Sequence, residues 1–337
     1  MINADIGICL IGAGRAGMLH ANNYYKRIQN AKMVAVVDAV EETARQAAAA
    51  VEARYYTDYR EALQNPAVDA VVVVAPTDLH AQIVVEGAAA GKHMFCEKPM
   101  AMDQAECRRM ISACQERGVK LQIGFMRRFD QEFIAARELL LSGAIGELAQ
   151  VRSCTRGPSK PRPWMYDLAK SNGILAEVNS HDFDAVRWMA GSDYASLYAV
   201  GGNFRNREAA AQYPDYYDSV LVSGTMKNGV QFSIDGAAYV QYGYDARMEL
   251  VGAKGVIHVG RNRQNEVVCA CAGTLGSPFV KSWTQLFADA YLQEDLAFIR
   301  AIREDTAPLV TGEDGLKAVQ AVEAGNRSIR QGGVVAL

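Results

Sequence analysis

Residues Met94–Ala101 read MFCEKPMA, and the lysine within them is the first residue that asks for a chemical role. An apolar run with the character of a buried strand ends on Glu97 and Lys98, and Pro99 follows at once. A lysine there is costly unless it is exposed at the strand's end or has a function. Pro99 biases Lys98 toward an extended backbone and fixes the exit of the chain. From the carboxyl end of a sheet, the ammonium can donate to a substrate hydroxyl and stabilise the alkoxide that develops as a hydride leaves. A solvated or ion-paired lysine fits the same residues equally well.

A second group lies in the stretch GILAEVNSHDFDAVRWM, residues 173–189. If 174–189 form one helix, Glu177, His181 and Asp184 share a face. A histidine flanked by carboxylates is oriented and holds its proton more firmly, as suits a general base that accepts a hydroxyl proton. The plain alternative is a surface ion cluster or a buried, hydrogen-bonded histidine. Glu177 and His181 have a spacing that allows a metal, but no second histidine stands near, so no metal site is expected.

The third motif is GAGRAG, residues 12–17, with the spacing G-x-G-x-x-G between a strand-like run and a helix-like one. Gly12 permits a tight turn, Gly14 a close approach to a pyrophosphate, and Gly17 close helix packing, while Arg15 and Ala16 open the helix whose N-terminus attracts the anion. Asp38 ends the next strand about 20 residues later, where the dinucleotide fingerprint places an acidic residue. Its carboxylate accepts from a ribose diol and repels a 2′-phosphate, which favours NAD over NADP. Arg15 speaks for a phosphate. After the most apolar strand, APTDLH (75–80) places Pro76 and Thr77 in a loop at the carboxyl edge, Asp78 as a helix cap, and His80 as a packing or capping residue.

Other residues carry weaker signals. Arg127 and Arg128 follow the fifth expected strand; Arg127 can bond a polyol or carboxylate, or both can be surface arginines paired with acidic neighbours. Tyr242 and Tyr244 can line a sugar site or pack in a strand. RGPSKPRPWMYD (156–167) reads as an extended loop, suited to a lid, in which Lys160, Arg162 and Trp164 raise the possibility of an anionic substrate.

The elements that must position these residues alternate. Strands near 6–12, 33–38, 70–75, 93–98 and 119–125 alternate with helical segments, which implies a doubly wound parallel sheet covered on both faces. Past residue 126 a helix at roughly 130–142 gives way to successive strands with turn signals KNG (227–229) and AKG (253–255), pointing to an α/β domain with a large open, mainly antiparallel sheet and helices on one side. Helices near 285–304 and 313–331 close the chain. The expected division is residues 1–125 for the cofactor and 126–337 for substrate and oligomerisation.

At 337 residues, half of them hydrophobic and 22% charged, the chain is large enough for two cores. Its formal net charge of −3 and lack of basic runs give no footprint for nucleic acid or an anionic membrane. No apolar stretch reaches the roughly 20 residues of a membrane span, and no leader pattern opens the chain, so a cytoplasmic protein is expected. The seven cysteines form no C-x-x-C pair and read as reduced core thiols.

Taken together, GAGRAG with His20, Asp38, EKP at 97–99, GFMRRFD at 124–130 and the block at 173–189 resemble the Gfo/Idh/MocA family of sugar and polyol oxidoreductases, across nearly the whole chain. The last two blocks and YGYD (242–245) are most similar to the inositol dehydrogenase branch. The resemblance implies an N-terminal Rossmann domain, a C-terminal domain whose open sheet often forms the oligomer interface, a catalytic lysine at 98, and often a cis peptide before Pro99. The family usually has aspartate four residues before the histidine, where this chain has Glu177, which puts substrate identity in question.

The expectation is an NAD-dependent dehydrogenase that oxidises a ring hydroxyl of a cyclic polyol or sugar to a ketone and works as a homodimer or homotetramer. Lys98 and His181, with Glu177 and Asp184, are the expected catalytic group. Gly12, Gly14, Arg15, Ala16, Gly17, Asp38, Pro76, Thr77, His80 and Glu97 are expected at the cofactor, and Lys98, Arg127, Trp164, Glu177, His181 and Tyr242 at the substrate. The rivals are a sugar or glycoside 3-dehydrogenase, an NADP-dependent ketoreductase acting on a sugar or sugar phosphate, and a non-catalytic NAD-sensing regulator.

Overall fold

The computed structural model describes residues 5–337. Its elements begin with β1 (Ile6–Ile11), α1 (Arg15–Lys26), β2 (Ala31–Val37), α2 (Glu41–Ala50), β3 (Arg54–Tyr56), α3 (Tyr59–Leu63), β4 (Ala70–Val73), α4 (Thr77–Ala89), β5 (His93–Glu97), α5 (Gln104–Arg117) and β6 (Leu121–Gly124). Next come α6 (Gln131–Leu141), β7 (Leu148–Gly157), α7 (Leu168–Ser171), α8 (Gly173–Glu177), α9 (Ser180–Ala190), β8 (Tyr194–Gly202), β9 (Ser219–Met226), β10 (Gln231–Ala238), β11 (Asp245–Gly252) and β12 (Val256–Val259). The small hairpin β13 (Cys269–Cys271) and β14 (Thr274–Gly276), α10 (Trp283–Leu286), α11 (Ala288–Arg303), α12 (Gly312–Gln331) and β15 (Val335–Ala336) complete the chain.

Two compact units form, residues 1–129 with 289–316, and residues 130–288 with 317–337. The expected boundary after residue 125 is thus revised. The segment 289–316 returns to the first unit because Leu292, Phe298, Ile299 and Ile302 of α11 pack into the core of β1, β2 and α1. Each such side chain taken from water stabilises that attachment by about 1.5–3 kcal/mol. Sequence order gave no warning that a C-terminal helix belongs to an N-terminal core.

The first unit holds a wholly parallel six-stranded sheet in the order β3-β2-β1-β4-β5-β6. Val71, Val72 and Val73 of β4 are inaccessible to solvent, as a strand covered on both faces requires. β3 escaped the sequence reading because it has three residues and two of them are exposed. The strand order reverses between β1 and β4, the switch point where open α/β sheets leave a crevice at their carboxyl ends. Ile11 pairs with Val73, Val73 with Cys96, and Glu97 with Gly124, so the loops after these strands leave the sheet side by side.

The second unit is built on a seven-stranded sheet, β12-β11-β7-β10-β9-β8-β15. β7 and β10 pair in parallel and the other neighbours antiparallel. The expected hairpin turns hold: Gly229 (φ 89°) lies between β9 and β10, and Ala253–Gly255 lie between β11 and β12. Ser153, Thr155, Phe232 and Ile234 face the helices, whereas Arg152, Arg156, Ser233 and Asp235 alternate to the open face.

Candidate active site

At the glycine loop, Gly12 has φ 98°, and a Cβ there would stand 2.5 Å from the Val74 carbonyl oxygen, so a glycine is required. Gly17 lets α1 approach so closely that a Cβ would lie 1.9 Å from the Gly12 oxygen. Gly14 is different. It is exposed, its φ of −71° suits any residue, and nothing lies within 4 Å of where its Cβ would be. The open space there is a cradle that a side chain would fill. Behind it α1 starts with no capping side chain and no acid in its first turn, leaving backbone N–H groups and the helix dipole for an anion. The Asp38 carboxylate accepts hydrogen bonds from the backbone of Ala13 and Val40, both at 3.0 Å, which orient it beside the loop. These residues fit a dinucleotide whose pyrophosphate sits on Gly14 and whose ribose diol meets Asp38.

Replacing Asp38 with serine is expected to raise KM for NAD by about 10- to 100-fold through loss of a charged acceptor. Removal of the negative charge should at the same time improve the use of NADP. Steady-state kcat/KM with each cofactor checks this; an unchanged NAD/NADP ratio would remove Asp38 from cofactor choice.

After β4, Pro76 is exposed and Thr77 buried at the start of α4. The expected Asp78 cap is absent; Pro76 takes the cap position and Asp78 lies in the first turn, where it favours the helix dipole. His80 is buried, with its ring nitrogens 2.9 Å from the Pro99 carbonyl oxygen and 2.8 Å from that of Ala75. Burial pushes its pKa down. The ring ties the loop after β4 to the loop after β5, so any service to the cofactor is through those loops.

β5 delivers Glu97 and Lys98. The Lys98–Pro99 peptide is cis, Lys98 is half-buried and Glu97 buried. Both carboxylate oxygens of Glu97 are engaged: one accepts the Lys98 backbone N–H at 2.9 Å, and the other lies 3.1 Å from His20 Nε2. Glu97 is therefore tied both to the backbone of the lysine that follows it and to α1. Lys98 stands two strands from the glycine loop, about 10 Å at the usual strand spacing.

Arg127 and Arg128 lie in a 3-10 turn after β6, and both are buried, contrary to the surface alternative. Arg128 pairs with Asp314 at 3.0 Å. Burial alone would raise the Asp314 pKa, but the guanidinium and the bonds from Thr311 outweigh it and hold the carboxyl down.

In the second unit, the single helix expected over 174–189 is two. α8 ends at Glu177, Val178 and Asn179 break the run, and α9 starts at Ser180. Glu177, His181 and Asp184 therefore do not share one continuous helical face. His181 sits buried in the first turn of α9 and Asp184 is buried one turn on, while Glu177 is half-buried at the end of α8. The residue that fixes α9 is Asp182, to which the sequence reading gave no role. It accepts from Ser153 Oγ of β7 at 2.5 Å and from Asn179 Nδ2 at 2.8 Å, with no exposure to solvent. Its signal was present: Asn179 and Asp182 have the spacing of a cap and the third helical residue.

Trp164 lies half-buried in a 3-10 turn, Pro163–Tyr166, inside the expected loop, while Arg156 and Gly157 belong to β7 instead. Lys160 pairs with Glu208 at 3.1 Å, which weakens the case for an anionic substrate. Tyr242 is 45% exposed, stacks edge-on against Phe279, and lines a groove of about 550 Å³ with Arg156, Asp235 and Leu221 on the open face of the sheet. α9 covers the other face, so within this unit Tyr242 and His181 are not brought together.

Among the described residues no helix is long and apolar enough to cross a membrane. Residues 6–125 match the family described as "Oxidoreductase family, NAD-binding Rossmann fold", and residues 133–258 match the "GFO/IDH/MocA C-terminal domain". The chain is 35% identical over 324 residues to an inositol 2-dehydrogenase of Rhizobium meliloti, with 96% of each chain covered. It is 33% identical over 326 residues to a myo-inositol 2-dehydrogenase of Thermotoga maritima, again with 96% of each covered. The fold superposes with a TM-score of 0.90 on a scyllo-inositol dehydrogenase from Lactobacillus casei crystallised with NAD(H) and scyllo-inositol, at 26% identity and 98% and 99% coverage. Two matched domains and full-length likeness lead to one assignment: the chain belongs to the Gfo/Idh/MocA oxidoreductase family, with an NAD-binding Rossmann fold.

Proposed function

We propose that this protein is an NAD-dependent dehydrogenase that oxidises a ring hydroxyl of a cyclic polyol of the inositol class to a ketone. The observation that carries the reading is Lys98, presented at the carboxyl end of β5 beside the switch point, in a chain alike over its length to inositol dehydrogenases. Bound NAD supplies the hydride acceptor. Lys98 donates to the substrate oxygen and stabilises it as negative charge grows. His181 accepts the hydroxyl proton, with Asp184 and Glu177 assigned to its orientation. Arg127 and Trp164 are proposed to bind the polyol; Tyr242, on the open face, is assigned no part in this chain's own site.

Self-association through the open sheet fits the exposed Tyr198, Val200, Phe204 and Leu221 there, so a homodimer or homotetramer is part of the proposal, and a cytoplasmic setting is retained from the sequence. Initial rates of nicotinamide reduction test the function, with NAD and NADP each offered inositol isomers, hexoses, a glycoside and sugar phosphates. Turnover of an inositol with NAD is expected. Turnover restricted to a glycoside or sugar phosphate would transfer the site to the rival dehydrogenases, and NAD binding without turnover of any alcohol would favour a regulator.

A further inference from the structure

His20 lies on α1, three residues past the last glycine of the glycine-loop motif. It is wholly buried on α1, between Phe95 (centroids 5.1 Å apart) and the edge of Tyr291 (5.5 Å). Its Nδ1 lies 2.8 Å from Asp295 Oδ1 and its Nε2 3.1 Å from Glu97 Oε1. Asp295 is held in turn by Asn23 Nδ2 at 2.8 Å, and Glu97 Oε2 accepts the Lys98 backbone N–H at 2.9 Å. A continuous buried chain thus runs from Asn23 through Asp295, His20 and Glu97 to the backbone of Lys98. We propose that His20 is the positioning residue for Lys98, acting through the Glu97 carboxylate and anchored by Asp295. The proposal rests on the reading of Lys98 as the group that holds the reacting oxygen.

Three features support it. A ring with a carboxylate on each nitrogen satisfies both only by donating from both, that is, as imidazolium. Burial by itself would disfavour that charge, but Asp295 and Glu97 more than reverse it and raise the pKa of His20 well above the usual value. The other titratable groups around this cluster are Glu294 and Tyr291 of α11, which face the ring, and Tyr24 of α1, which faces Asp295 and Glu294. Glu294 is wholly buried, neither of its carboxylate oxygens meets a donor, and burial, with Glu97 beside it, pushes its pKa up. Glu294 also completes, with His20 and Glu97, a set of potential ligand atoms within 4.8 Å, but an imidazolium has no lone pair to offer a metal. Secondly, the neighbouring strand is shaped around Glu97: a Cβ at Gly124 would stand 2.9 Å from its carboxyl carbon. Thirdly, buried ion triads are poor stabilisers compared with apolar residues of equal volume, so one placed directly behind Lys98 points to precision in that residue's placement.

Two variants separate positioning from general support. In His20→Gln the side-chain amide reaches the place of Nε2 and still donates to Glu97; in His20→Asn it reaches only the place of Nδ1, toward Asp295. With the polyol found to react, His20→Asn is expected to lower kcat by about 10²-fold, the effect of a misplaced reacting group, with KM and the Kd for NAD within about threefold. His20→Gln is expected to recover at least about tenfold of that loss. A folded His20→Asn with kcat within about threefold of the parent, or equal losses in both variants, would overturn the proposal. Should the asparagine variant not fold, Glu97→Gln keeps the shape but puts an amide where one carboxylate served both His20 Nε2 and the Lys98 backbone N–H, so one of the two loses its acceptor. Its kcat is expected to fall at least about tenfold, with the Kd for NAD within about threefold. A folded Glu97→Gln with kcat within about threefold of the parent overturns the proposal equally. Lys98→Met is the control: if it retains turnover, the reading of Lys98 fails and this proposal with it, whereas an inactive Lys98→Met beside an active His20→Asn sinks only the role of His20.

Discussion

Replacing Lys98 with methionine is expected to lower kcat by about 10³-fold, while the Kd for NAD moves by less than about threefold. Methionine keeps an unbranched stem of similar reach and removes the charge and the donor, so the loss reads the ammonium and not the packing. The size follows from what a pre-placed donor contributes when negative charge grows on a substrate oxygen in a water-poor site: about 10²–10³ in kcat for a neutral donor, and hydrogen bonds to charged groups are stronger. Cofactor affinity should survive because the residues proposed for the pyrophosphate and the ribose, Gly14 and Asp38, lie on the loops after β1 and β2. Steady-state turnover with equilibrium binding of NAD checks both halves. Turnover near that of the parent would take Lys98 out of the chemistry, and loss of NAD binding would make it a cofactor residue.

The second large effect is expected at His181. His181→Asn should cut kcat/KM by about 10²–10⁴-fold, equivalent to about 3–5.5 kcal/mol of barrier, the range for removing a general base. A neutral imidazole that accepts the hydroxyl proton makes the rate of the parent fall on the acid side, as the ring takes up a proton from solvent. The variant should lose that acid limb and show a flatter profile. Fold integrity is protected because Asp182 anchors α9 to Ser153 and Asn179. A variant with the parental pH profile would assign the base to another group. Glu177→Asp belongs in the same series: restoring the shorter carboxylate common in the family should change the preference among polyols more than kcat for the best one.

Much of this architecture was legible in the chain because its signals are local. Short apolar runs alternating with helical segments gave the parallel strands, and the spacing Gly12–Gly14–Gly17 gave the tight turn from β1 into α1. The turns at 227–229 and 253–255 gave two hairpins of the second sheet. What stayed hidden depends on contacts distant in sequence. Nothing near residue 295 announces that Asp295 will meet His20, a separation of 275 positions, or that α11 will close the first core. The single helix expected over 174–189 has another origin: the apolar pattern carries no break signal at Val178 and Asn179, where the bond from Asn179 to Asp182 ties the break to the first turn of the second helix. The sequence around Tyr242 allows a sugar-site aromatic or a packed strand residue, and the side of the sheet it occupies is set by the path after β10.

Product stoichiometry with the purified protein, an inositol and NAD tests whether NAD oxidises a ring hydroxyl here. A cyclic ketone and reduced nicotinamide are expected in equal amounts, with both lost in Lys98→Met. Tight NAD binding with no ketone and no reduction across the inositol isomers would contradict this oxidation.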